Sequence, residues 1–226
     1  MKKPVAGKAG VVILTVILGA CSPESNVTKN SGFLRDYSRL AETRDTQGGT
    51  IMDWVSPKLT PAHYNAVLFD PLVFYPEPRP SEQVSAETLQ QILAYSNDTL
   101  KRSLSRRFRV VDCAGPGVLR IRAAFTGIAA QGEHLEPYQY LPLAFVATMA
   151  ARTVTGTPQR AFVVIEVEET DSATGELLAE RERVGTGQRL ARVADQQIIT
   201  LDTLKPLLDE LADSAFPKLA QYVKPR

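Results

Sequence analysis

Hydrophobic positions along the chain fall into distinct rhythms, separated by breaks rich in proline and glycine. Leu89, Ile92, Leu93, Ser96, Leu100 and Leu104 recur at three- and four-residue steps, the spacing of one helix face. Ser85 precedes them as an N-cap and Glu87 lies in the first turn. Lys101, Arg102, Arg106 and Arg107 crowd the last turns, where cations meet the negative end of the helix dipole. A second helix is predicted from about Leu204 to Tyr222. Its apolar stripe is Leu207, Leu208, Leu211, Ala215, Leu219 and Val223, and Pro217 is expected to kink or divide it.

Between the helices the period drops to two. Leu119, Ile121, Ala123 and Phe125 alternate with Arg120, Arg122 and Ala124, as in a strand with one wet face. Further strands are predicted at Ala66–Asp70 and Arg109–Cys113. A piece over Leu72–Tyr75, bracketed by Pro71 and Pro76, is placed at a sheet edge. Phe162–Glu169 and Glu176–Gly185 flank the turn residues Asp171-Ser172-Ala173-Thr174-Gly175, which makes a hairpin whose Gly175 takes a positive φ. Glu166 and Glu168 on one arm, with Glu180, Arg181, Glu182 and Arg183 on the other, are read as outward residues paired across the strands near solvent. Residues 33–65 are read as a mostly irregular arm with Trp54 packed on the domain. The fold class is therefore α/β (α+β): a mostly antiparallel sheet of about five strands with helices packed on one face.

The first residues follow another logic. Lys2, Lys3 and Lys8 precede an apolar run, Ala9–Ala20, which is too short to span a bilayer. Leu18-Gly19-Ala20-Cys21 then has the form of a lipobox, in which small residues admit a signal peptidase and the Cys21 thiol accepts the lipid. Residues 1–20 are read as a lipoprotein signal peptide, 21–32 as the lipidated Cys21 with a polar tether, and 33–226 as one domain. Two acyl chains are needed because one alone holds a protein to a membrane only marginally. Ser22, where an Asp would retain the protein at the inner membrane, favours an outer-membrane location on the periplasmic face.

The chain of 226 residues carries 26 basic and 25 acidic side chains, and three of the basic ones lie in the signal. Such a balance gives no basic footprint for nucleic acid, and none is expected as a partner. No cofactor or metal site is predicted. His63 and His134 stand apart from any close Cys/His/Asp/Glu cluster, although Glu133 and Glu136 flank His134. Gly185-Thr186-Gly187-Gln188 lacks the third glycine of a dinucleotide site, and no Gly-x-Ser-x-Gly element anchors a hydrolase triad. Cys113 is read as a half-buried thiol at a strand end. Residues 141–151 are small and apolar, and are either a buried helix or a docking surface.

Several of these segments resemble one known family. The lipobox, Ser31-Gly32-Phe33-Leu34 with Tyr37 and Leu40, and Phe69-Asp70-Pro71-Leu72-Val73-Phe74 are similar to the bacterial lipoproteins grouped as domain of unknown function 3313. Thr153-Val154-Thr155-Gly156 and the turn Asp171–Glu176 are similar as well. The resemblance implies an exported, lipid-anchored α/β domain with no assigned activity, and only the role of Cys21 carries over. The expected function is a lipid-anchored envelope protein, not an enzyme, that binds an envelope protein partner or its own copies. The alternative is a periplasmic hydrolase or small-ligand binder whose site assembles only in the fold.

Overall fold

A computed structural model of the protein describes residues 30–44, 50–81, 84–132, 159–189, 192–193 and 196–226. The expectations for residues 1–29, His134 and the apolar stretch 141–151 lie outside them.

The strands are β1 (Ala41–Arg44), β2 (Thr50–Val55), β3 (Ala66–Phe69), β4 (Val73–Phe74), β5 (Val110–Val111), β6 (Val118–Gly132), β7 (Gln159–Asp171) and β8 (Leu177–Arg189), followed by a two-residue pair, β9 (Arg192–Val193) and β10 (Gln196–Gln197). The helices are α1 (Ala86–Arg107) and α2 (Leu201–Leu219). Eight strands form one sheet in the order β1-β2-β8-β7-β6-β3-β5, with β4 on β6 beyond the end of β3. Pairing is antiparallel from β1 through β6, whereas β3 lies parallel to both β5 and β6, and β4 is parallel to β6.

The sheet is thus mixed and larger than the five antiparallel strands expected. The main source of the difference is β2. Its core-facing residues Ile51 and Val55 are separated by Asp53, which breaks the apolar alternation that marks a strand. Asp53 is nevertheless buried, because Arg181 donates to it at 2.9 Å and Lys218 pairs with it too. The stretch 33–65, read as irregular, therefore supplies two strands of the sheet. Arg109–Cys113 contracts to the two residues of β5, and Cys113 is exposed and free beyond it.

Both helices keep their predicted signals. Ser85 caps α1 by accepting from the Thr88 N–H. At α2, Thr200 and Thr203 cap each other, three residues earlier than the sequence pattern suggested. Pro217 stays inside the helix, which runs on to Leu219. Leu207, Leu208, Leu211 and Leu219 are buried as expected, but Ala215 is exposed.

The two helices pack on the same sheet face, as expected. Ile92, Leu204 and Leu208 meet Ala123, Phe125 and Val163 there, and Phe108, Phe216 and Val223 meet Val67 and Leu119. Gly185 faces α2: a Cβ there would stand 2.7 Å from a Leu207 methyl carbon, so its glycine serves helix–sheet contact rather than a nucleotide. At the hairpin turn Gly175 has φ 72°, and Asp171 accepts from the Ala173 and Thr174 N–H groups.

Candidate functional site

The opposite sheet face departs most from the sequence reading. Strand register sets Glu166 directly across from Glu182, and Glu168 across from Glu180. These four carboxylates form a ladder on the central hairpin. Glu166, Glu168 and Glu180 are not outward residues at all: they are 2%, 3% and 0% exposed. Like charges opposed across strands are destabilising, and a buried charge without partners is worse.

The segment before β1 resolves this conflict. Residues 31–40 lie across the ladder, with Phe33 and Leu34 packed on Ala124. Arg35 forks onto Glu168, with Nε at 3.0 Å from Oε2 and Nη2 at 3.1 Å from Oε1, and Arg122 adds a contact at 3.3 Å. Glu180 accepts from the backbone N–H of Arg35 at 2.6 Å and of Asp36 at 3.2 Å, and pairs with Arg39 at 3.0 Å. Glu166 accepts from Ser31 at 2.8 Å and from the Tyr37 hydroxyl at 2.6 Å. Arg39 also stacks 4.0 Å from the Trp54 ring centroid, which fixes Trp54 on the domain as expected. Burial, then the bond to Glu166, pushes the Tyr37 hydroxyl up to about 12. Glu182 is pushed up to about 7 by burial and then by the neighbouring charge of Glu166.

The helix face carries the second feature. Between sheet and helices lies a cavity of about 220 Å³. Its walls include Phe69, Leu100, Ile121, Phe125, Ile165 and Leu208. Basic side chains line it too: Arg44, Arg181, Arg183 and Lys218, with Glu169 as the acidic counterpart. Arg181 sits 3.5 Å from Glu169, and Arg183 bonds Ser214 and reaches Glu210 at 4.0 Å. Burial raises the Glu169 carboxyl, opposed by the charge of Arg181. Mostly apolar walls with a few convergent polar groups are the usual make-up of a small-molecule site.

Among the described residues, neither His63 nor Cys113, singled out from the sequence, lines this cavity. His63 is exposed and stacks edge-on with Tyr64 at 4.9 Å. Among the described residues, no group of three His, Cys, Asp or Glu is placed to hold a metal, and no helix is long and apolar enough to cross a membrane. Two of the cavity's four cations were visible in the alternation Glu180-Arg181-Glu182-Arg183, which sends both arginines to one face. That signal was read only as surface pairing.

Comparison with known proteins bears on the family. Residues 29–215 match the family described as protein of unknown function DUF3313. The uncharacterized lipoprotein YdcL of Escherichia coli, in strains K12 and O157:H7, is 32% identical over 214 residues, which covers 93% of each chain. The chain belongs to the DUF3313 family. Its match takes in both the arm over the ladder and most of α2. Among solved structures, protein XCC0632 from Xanthomonas campestris is similar with a TM-score of 0.40 at 9% identity, over 74% of this chain and 88% of that one. The PelC dodecamer from Paraburkholderia phytofirmans has a TM-score of 0.34 at 11% identity, over 72% and 96%.

The ladder predicts a pH signature. A raised folded pKa means that the folded state holds the Glu182 proton better than the unfolded chain does. The resulting stability is fully present below the ordinary value of 4.5 and is lost as pH rises through about 7. Glu182→Gln, which mimics the protonated form, should raise the melting midpoint at pH 8 and leave it unchanged at pH 4. Thermal melts of both proteins across this range are the check, and a gain independent of pH would contradict the assignment.

Proposed function

We propose that the protein is a lipid-anchored cell-envelope binding module that receives a small apolar ligand between its sheet and its helices. The observation that carries this reading is the cavity of about 220 Å³. It exceeds the roughly 150 Å³ of an engineered apolar cavity that stays dry and binds benzene. This is the small-ligand alternative of the sequence reading, with the site assembled from β1, β2, β3, β6, β7, β8 and both helices.

Anchoring rests on the lipobox Leu18-Gly19-Ala20-Cys21 and on the lipoprotein YdcL as a relative. Ser22 supports the outer membrane, with the domain on its periplasmic face. Cys21→Ala should abolish incorporation of labelled palmitate and leave an unprocessed precursor. A mutant that still takes up label would overturn the anchor.

The binding reading is tested by native mass spectrometry of the membrane-extracted protein. Wild type should carry a small molecule that Ala212→Phe, which fills the cavity, expels while the melting midpoint holds. Wild type recovered empty would count against the reading.

A second reading, binding to an envelope protein or to a second copy, is favoured by β1. All four of its residues are exposed, and it closes one end of the sheet order, so its outer edge can template another strand. Crosslinking in intact cells from position 43 should then capture a specific neighbour. Uncrosslinked monomer alone would sink this alternative.

A further inference from the structure

Two basic segments that lie far apart in sequence meet at one end of the fold. Lys101, Arg102, Arg106 and Arg107 occupy the last two turns of α1, within about 9 Å along its axis, and Arg109 follows directly. The residues after α2 return to the same place. Val223 bridges Tyr64 just before β3, and the Lys224 N–H donates to the Tyr64 carbonyl at 2.9 Å. The Arg226 N–H then donates to the Arg107 carbonyl at 2.8 Å, which gives a partner to one of the carbonyls a helix end leaves open. Lys101, Arg102, Arg106, Arg107, Arg109 and Lys224 are all exposed. Arg102 donates to the neutral Asp98 carbonyl and Thr99 hydroxyl, and Arg107 reaches Asp213 only at 3.9 Å. Among the described residues, Lys101, Arg106, Arg109 and Lys224 form no ion pair. The acids beside these six cations along the chain are Asp98, Asp112 and Asp213. Asp171, which the Tyr64 hydroxyl meets at 3.0 Å, is taken up by the N–H groups of its own turn, and Glu176 pairs with Lys58. The balance at this end stays positive.

We infer that this end of the domain docks on a bilayer surface bearing anionic phosphate headgroups, as an electrostatic contact beside the proposed lipid anchor. Clusters of about four to eight Lys and Arg are what such headgroups attract. A protein interface asks for more, namely an apolar centre inside the charged rim. The exposed large hydrophobics, Val73 and Tyr75, lie at and after β4 instead. Headgroups need only the charge and the long side chains that carry it. The inference rests on the anchor reading in one respect: a chain held by Cys21 keeps the patch close to a membrane, so weak contacts suffice.

Cys113 supplies the probe, since it is exposed and free and lies within about 14 Å of Arg109 along the chain. The full chain, extracted from membranes and reconstituted on vesicles, carries a thiol-linked fluorophore there, and the vesicles carry a headgroup nitroxide as quencher. On phosphatidylcholine alone quenching should be slight. With phosphatidylglycerol as about one lipid in three it should rise several-fold, and it should vanish in ~1 M salt, where screening acts within about 3 Å. Arg106→Gln and Lys224→Gln should each lower the docked-to-undocked ratio about fivefold, and together about twenty-five-fold. Both side chains are exposed and outside any ion pair, so these variants keep the fold. Arg79→Gln, an exposed cation on the loop after β4, should change nothing. Equal quenching on both vesicles, or an equal loss from Arg79→Gln, would overturn the docking face and leave the anchor standing. A chain that fails to float with phosphatidylcholine vesicles would overturn the anchor, and flotation with phosphatidylglycerol alone would then still support the docking face.

Discussion

The rest of the structure depends on how one hairpin disposes of its carboxylates. Glu166, Glu168, Glu180 and Glu182 share one face of β7 and β8, opposed like to like across the strands. Left to themselves they would repel, and burying them unpaired would cost several kcal/mol each. The chain answers with donors from a single short segment: a forked guanidinium, a second arginine, two backbone N–H groups and two hydroxyls. That segment is therefore part of the fold rather than an appendage. Its apolar residues Phe33 and Leu34 seat it, and its donors complete it.

The same ladder explains why Tyr37 belongs where it is. Its hydroxyl donates to Glu166 and accepts from the backbone N–H of Leu34. One side chain so closes the turn of the arm and satisfies a buried carboxylate. Networks of this kind gain from being complete and lose heavily when one member is missing. Glu182 lies at the edge of the network, and its raised pKa reflects that position: burial presses on it, as does the charge of Glu166.

Much of the fold was legible in the sequence because its signals were local. Ser85 as a cap, the three- and four-residue spacing of Leu89 to Leu104, and the turn Asp171–Gly175 each declare themselves within a few residues. What stayed hidden depends on partners far along the chain. Asp53 looked like a break in a strand because its partners, Arg181 and Lys218, lie more than a hundred residues away. Glu166 and Glu168 looked wet because alternation with Val167 marks one face as polar, and nothing local says that residues 31–40 will cover it. A signal did exist: Arg35, Tyr37 and Arg39 place three donors in five residues at the start of the domain. The candidate site was less legible still. Its walls come from separate strands and helices, each of which reads as ordinary core until the void between them is seen.

The run Glu180-Arg181-Glu182-Arg183 shows how little separates the two readings. Taken as a surface strand, it is a set of exchangeable ion pairs of small value. In a strand covered on both sides, the two-residue period becomes a sorting rule. The acids go to the face that the arm covers, where they organise the first residues of the domain. The bases go to the helix face, where Arg181 ties β2 to the sheet through Asp53 and Arg183 stands against α2 at Ser214. The sheet thus separates opposite charges by its own thickness. One side holds the segment nearest the proposed anchor, and the other sets two arginines, each paired with a carboxylate, among the walls of the cavity. Swapping the order of acids and bases along β8 would preserve composition, strand propensity and net charge. It would also bury arginines under an arm of hydrogen-bond donors and line the cavity with glutamates, so the alternation itself, not the number of charges, carries the structural information.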